Sequence, residues 1–297
     1  MSSSAPPSWR RTLPMVAVAL ACALLLGLAY WASVRTIEGR VLSDAALRGA
    51  LQTNGAVSST VDRVLNGVSV GSLLVAMAVV ASIALLRQRR VQGFAAVGVL
   101  VGANVTTLLL KRYVLERPDL GVSEVGPATL NSLPSGHTTA AFSAVGALLL
   151  VVPRRLRVPV ALAGSAYGAV TGLATMSAGW HRAADAIAAL LVVGFWTTLA
   201  ALAVLLLGPD PLADDPLLDE RGVRLHPAVR WPTAAALACV LLGAVVALLL
   251  SAATPLLESD SGPWLALGSG VLLVLGTALG TAAALLVVLD LMDPPGV

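Results

Sequence analysis

The 297-residue chain is 57% hydrophobic and only 12% charged, against about 25% charged in ordinary soluble domains. That composition excludes a water-soluble globular domain. The net charge of +3 arises from arginines scattered between apolar blocks, which excludes the contiguous basic stripe of a nucleic-acid binder.

Residues 1–13 begin Ser/Pro-rich and are expected to be a disordered N-terminus. A spanning helix takes about 20 mostly apolar residues, and the first such run is 14–34. Arg10 and Arg11 precede it as they would a signal peptide, but the run is longer than the usual apolar stretch of such a peptide. No small-residue cleavage site follows, so a retained helix is expected. Residues 35–64 form a polar connector in which 41–51 reads as a short helix on the membrane surface. Further apolar runs cover 65–86, 91–110, 138–152, 158–178, 183–207, 232–253 and 264–288. Residues 208–231 carry Pro, Asp and Arg and read as a solvated cytoplasmic linker, with His226 a bystander in it. The expected fold is an all-α, polytopic membrane helical bundle: a six-helix core over 14–207 and a two-helix membrane tail over 232–297. Cys22 and Cys239 lie inside apolar runs, placed for neither a disulfide nor a metal cage.

Loop arginines orient the chain. With the N-terminus cytoplasmic, eleven basic residues fall inside and eight outside. Setting aside Lys111, Arg112, Arg117 and Arg182 as site candidates leaves four outside. This bias predicts both termini in the cytoplasm.

Three polar clusters interrupt the apolar chain, all on the predicted outer face. The first runs from Lys111, the sole lysine, through Arg112 to Arg117-Pro118. The second is Asn131-Ser132-Leu133-Pro134-Ser135-Gly136-His137, and the third is Gly179-Trp180-His181-Arg182-Ala183-Ala184-Asp185. Phosphoryl transfer needs fixed cations around a highly charged transition state, and Lys111 and Arg117 can supply two. Ser135 and Gly136 open a helix, where free N–H groups favour an anion. His181 and Asp185 are four apart and share a helix face. A carboxylate holding one imidazole nitrogen protonated leaves the other free to attack phosphorus, and His137 would then protonate the leaving alkoxide. Taken singly, each cluster has an ordinary explanation: arginines anchor helix ends, Ser caps helices, and an Asp four residues after a His is common. Together, ionisable groups at a membrane edge point to a site.

At these residues the sequence resembles the type 2 phosphatidic acid phosphatase and vanadium haloperoxidase superfamily, whose motifs are Lys-x6-Arg-Pro, Pro-Ser-Gly-His and Ser-Arg-x5-His-x3-Asp. Pro134-Ser135-Gly136-His137 matches the second completely, and His181 with Asp185 matches the end of the third. Two departures stand out. Five residues, not six, separate Lys111 from Arg117, and the third-motif arginine falls at Thr175, its serine at Ala174. The resemblance, over 65–207, implies a metal-independent and cofactor-free phosphatase with His181 as nucleophile, His137 as acid and Asp185 as its orienting carboxylate. Lys111, Arg117, Ser135 and Gly136 would bind phosphate, with Arg112 or Arg182 replacing the missing arginine. It implies a multi-pass cell-membrane enzyme acting on phosphatidate, phosphatidylglycerol phosphate or a polyprenyl phosphate from the extracytoplasmic side. The alternative is a non-catalytic lipid-phosphate binding or transport component that lost turnover with that arginine. A haloperoxidase is soluble, which the apolar spans oppose.

Overall fold

A computed structural model describes residues 9–68, 70–122, 124–125, 131–207 and 227–292. The chain is an all-helical, polytopic membrane protein. Its helices are α1 (Trp9–Val34), α2 (Ile37–Gly67), α3 (Val70–Leu86), α4 (Arg90–Leu109), α5 (Gly136–Val151), α6 (Arg154–Ser177), α7 (Ala183–Leu207), α8 (Pro227–Ala252), the single turn α9 (Thr254–Leu257) and α10 (Gly262–Met292). Among the described residues six are long and apolar enough to cross a membrane: α1, α4, α6, α7, α8 and α10, whereas α3 and α5 are shorter.

The helix starts differ from the sequence reading in a consistent way. Beginning the apolar runs at Pro14 and Pro232 puts α1 and α8 too late. Both helices begin five residues earlier, at Trp9 and Pro227, and tolerate the proline one turn in. The expected disordered segment 1–13 therefore ends in helix from Trp9, and the expected linker 208–231 ends in helix from Pro227. The rest of that linker, with His226, and residues 1–8 lie outside the described residues. The extra turn of α1 has a function in packing: Arg11 Nε donates to the Leu291 carbonyl at 2.8 Å and Nη2 to that of Met292 at 3.2 Å. Arg157 Nη1 donates to Leu289 O at 3.1 Å, Arg154 pairs with Asp290 at 3.4 Å, and Arg87 Nη1 donates to Val151 O at 2.5 Å. Arginines that the sequence presents as topology anchors thus also satisfy the orphan carbonyls of helix C-termini. These contacts place the start of α1, the end of α10 and the end of α5 on one face of the bundle. The chain after α4 and the starts of α5 and α7 lie at the opposite end.

A second correction concerns residues 35–64, which are not a loop with a short surface helix. They belong to α2, 31 residues long and about 46 Å at 1.5 Å per residue. Thr36 caps it, its hydroxyl accepting from Gly39 N at 3.1 Å. Arg40, Asp44, Leu47 and Leu51 recur at helical spacing, and Arg40 and Asp44 are 3% and 0% exposed. Such burial of charge requires partners, and they lie over the polar end of the bundle.

The interior is held by close helix contacts and short polar bridges, as lipid-embedded bundles require. Thr107 and Thr139 hydroxyls meet at 2.9 Å between α4 and α5, Asn104 donates to Ser143 at 3.1 Å, and Trp196 Nε1 donates to Thr106 at 2.9 Å. The Trp196 ring lies where any side chain at Gly102 would collide with it. α10 packs not only on α8 but against α7, α2 and α6, with its Val274, Ala278 and Leu285 in the same apolar core as Phe142, Ala169 and Leu190.

Candidate active site

Backbone bonds bring the three polar clusters together. The end of α4 widens into a π-helical turn, Leu110–Val114, closed by Leu115 N donating to Leu110 O at 2.9 Å; such turns recur at functional sites. Asn131 pins that turn to the second cluster, its Nδ2 donating to Leu115 O at 2.9 Å and Leu133 O at 3.0 Å. Ser135 N donates to the Asp185 carbonyl at 2.9 Å, stitching the start of α5 to the first turn of α7. Ser135 also caps α5, accepting from Thr138 N.

The third cluster is set by how α6 ends. Gly179, at φ +77°, follows Ala178, and Gly179 N donates to Met176 O while Trp180 N donates to Thr175 O. This is a Schellman ending, whose left-handed residue favours glycine. It delivers Trp180 and His181 straight back over the bundle end, and His181 N also donates to Thr175 O at 3.2 Å.

His181 is 8% and Asp185 2% exposed, with Nδ1 of the imidazole 2.9 Å from Asp185 Oδ2. Arg182 N donates to the same oxygen at 3.0 Å. An ionised carboxylate only accepts, so Nδ1 is the donor in this contact. The His137 ring lies 5.4 Å from that of Trp180, tilted 40°. Charge interactions join His137 to His181 and Lys111, and Lys111 to Asp185. Lys111 makes no hydrogen bond through its ammonium among the described residues. A cavity of ≈ 70 Å³ lies beside His181, walled by Leu47, Val125, Asn131, Trp180 and Arg182.

The arginines divide. Arg112 is exposed on the π turn, where its charge acts on Lys111. Arg117 and Arg182 both turn to one buried carboxylate, Glu124. Its Oε2 accepts from Arg117 Nη2 at 2.5 Å, Arg117 Nε at 3.2 Å and Arg182 Nη2 at 3.3 Å, and its Oε1 accepts from Arg40 Nη1 at 2.9 Å. Asp44 accepts Val125 N at 2.7 Å and lies 3.7 Å from Arg182 Nη2. Burial alone would raise Glu124, but its bonds to Arg117 and Arg40 and the charges of Arg117 and Arg182 hold it below the usual carboxylate range. Burial, then the neighbouring Arg117, pull the Arg182 guanidinium below its ordinary value, opposed by Asp185, Glu124 and Asp44. Thr175, at the missing arginine's position, is fully buried and its hydroxyl donates to Gly172 O at 2.7 Å, so it faces its own helix.

Sequence reading did not single out Arg40, Asp44 or Glu124, and it placed Asn131 in the second cluster without a role. Arg40 and Asp44 left a signal, an oppositely charged pair four apart on the same helical stripe as Leu47 and Leu51. Glu124, one acid in an irregular segment, left none.

A match to a family model follows the same elements, covering α4 to α7. Residues 92–207 match the model of the PAP2 superfamily. No curated protein and no solved structure gives a significant match to the chain. The matched segment holds Lys111, Arg117, Glu124, Ser135, His137, His181, Arg182 and Asp185, while α1 to α3 and α8 to α10 lie outside it. Its start at 92 is later than the 65 that the motif resemblance suggests. Arg40 and Asp44 therefore reach the matched segment from a helix outside it.

Proposed function

We propose that this protein is a membrane-embedded lipid phosphate phosphatase with His181 as its nucleophile. The observation that carries the reading is the buried His181–Asp185 pair at 2.9 Å, beside His137 and Lys111 at one end of an apolar bundle. Asp185 fixes the tautomer and stabilises the imidazolium that forms. His181 Nε2 attacks phosphorus, the P–O bond to the lipid breaks, and His137 gives its proton to the departing alkoxide. Water then attacks the phosphohistidine, passing a proton to His137 as the P–N bond breaks, and inorganic phosphate leaves. Lys111, Arg117, Arg182, the Ser135 hydroxyl and the Gly136 N–H offset the charge that builds on the phosphoryl oxygens. Of the two arginines considered as substitutes for the one absent at Thr175, Arg182 is the better placed, since it shares a carboxylate with Arg117 and lines the cavity beside His181.

A headgroup site at the bundle end suits an amphiphile with its tails in the bilayer, which favours phosphatidate, phosphatidylglycerol phosphate or polyprenyl phosphates over soluble esters. With both termini cytoplasmic, that end faces the extracytoplasmic side of the cell membrane. The test is phosphate release from these lipids by purified protein in detergent micelles. Wild type should release phosphate, His181→Ala none, and Asp185→Asn a reduced amount. Release by His181→Ala at the wild-type rate would overturn the mechanism. Phosphate binding without turnover in the wild type would favour the non-catalytic binder.

A further inference from the structure

We propose that Glu124 is a positioning residue that holds Arg117 and Arg182 as a paired anion-binding fork, and that Asp44 and Arg40 of α2 lock it there. The inference rests on the phosphatase reading for its phosphate ligand, but its geometry is independent of turnover. Glu124 is only 1% exposed at its side chain, as is Asp44. A lone buried carboxylate would be costly, yet this one accepts four hydrogen bonds from three guanidinium groups. Arg40, 4% exposed at its side chain, does not stop at Glu124. It also donates to Val34 O at 2.9 Å and to the Pro118 carbonyl, fastening the end of α1, the start of α2 and the segment after Arg117 to one another. Asp44 fixes the backbone at Val125, next to Glu124, and is itself held by Arg48 at 2.7 Å.

The donors left over identify what the fork is for. Arg117 spends Nε and Nη2 on Glu124, leaving Nη1 without a hydrogen bond among the described residues. Arg182 spends only Nη2, on Glu124 and the Val125 carbonyl. Its Nε is buried with no partner, although the whole residue is 7% exposed and lines the cavity beside His181. An orphaned buried N–H on a guanidinium calls for an acceptor, and a phosphoryl oxygen is the acceptor that a fork of this kind matches. Arg40, Arg48, Arg117 and Arg182 against Glu124 and Asp44 leave two positive charges over. The carboxylates therefore orient the cations without cancelling them. Glu124 would instead be an internal plug if substrate had to displace it. The number of its buried charged bonds argues against that, because breaking such pairs is strongly unfavourable.

The two roles give opposite results for Glu124→Gln. The probe is inorganic phosphate, read as the rise in melting temperature of detergent-purified protein and as competitive inhibition of lipid phosphate hydrolysis. A positioning role predicts phosphate binding roughly tenfold or more weaker in Glu124→Gln, the scale of one lost charged hydrogen bond, with KM raised more than kcat falls. Glu124→Asp should restore part of the affinity. In an Arg182→Gln background, Glu124→Gln should cost clearly less than in the wild type, because the two act through one another. Tighter phosphate binding or a lower KM in Glu124→Gln would overturn the proposal in favour of a plug. Equal binding in a variant that still melts cooperatively would overturn it in favour of a purely structural role. If Glu124→Gln does not fold, Glu124→Asp decides, in the wild type and in the Arg182→Gln background: phosphate binding equal to wild type would overturn the proposal. Lack of phosphate protection in the wild type would also overturn it, since the fork would then bind no anion. Phosphate protection without turnover would leave this inference standing while the phosphatase reading fails.

Discussion

Replacing Arg182 with alanine tests the reading of the site most directly, because stability and activity should respond by different amounts. Arg182 is 7% exposed and bonds Glu124 and the Val125 carbonyl, each at 3.3 Å. Its removal orphans neither carboxylate: Glu124 keeps Arg117 and Arg40, and Asp44 keeps Arg48 and the Val125 amide. The stability cost should therefore be about 1–3 kcal/mol, the range for charged hydrogen bonds, and not the roughly 3–5 kcal/mol of a buried charge left alone. Activity should fall further. A guanidinium N–H aimed at a developing oxyanion acts as an oxyanion-hole donor, and loss of one costs about 10²–10³ in rate. The assay is kcat/KM for phosphate release in micelles, with thermal melting of the same samples. Arg182→Lys keeps the charge but loses the fork and should fall between wild type and alanine. Arg112→Ala should stay near wild type, its side chain being exposed and bonded to neither Glu124 nor Asp185. Arg182→Ala with nearly wild-type kcat/KM and a lowered melting temperature would refute the reasoning, leaving Arg182 a structural residue.

Other outcomes follow from the same geometry. Thr175→Arg, which restores the family's residue, should slow the enzyme and lower its melting temperature, since overpacking a fully buried site costs about 1–3 kcal/mol and Thr175 carries the turn that presents His181; a faster variant would show that this position still opens on the phosphate. Glu124 has a folded-state value below the usual carboxylate range, so its contribution to stability is complete above that range and is withdrawn as pH falls through it. Melting temperature against pH should drop more steeply on the acid side in wild type than in Glu124→Gln, and parallel curves would contradict the pairing. A cysteine at exposed Asp119, in a Cys22→Ser, Cys239→Ser background, should be labelled in intact cells by an impermeant thiol reagent. Labelling only after lysis would reverse the orientation.

The sequence by itself determined the membrane-helical class, because no other backbone arrangement can bury runs so long and apolar. It also determined the nucleophile candidate, although not by the shared helix face the spacing suggested: His181 lies two residues before the start of α7 and meets Asp185 of its first turn, a contact still local in the chain. The caps at Ser135 and Gly179 are local in the same way. Helix starts were less legible: the apolar runs begin at Pro14 and Pro232, one turn inside α1 and α8, and only the structure shows Arg11 reaching α10. What only the tertiary structure decided was the company of the arginines. Arg117 is marked in the sequence by the proline that follows it, but Arg112 and Arg182 stand as alternative substitutes for the missing arginine, and spacing alone does not choose between them. Arg182 joins Arg117 because Glu124, from the irregular segment between the motifs, meets both. Glu124 stays there because Arg40 and Asp44 arrive from a helix some eighty residues earlier. A buried carboxylate has no local signature, since what makes its burial tolerable is charge brought from elsewhere in the chain.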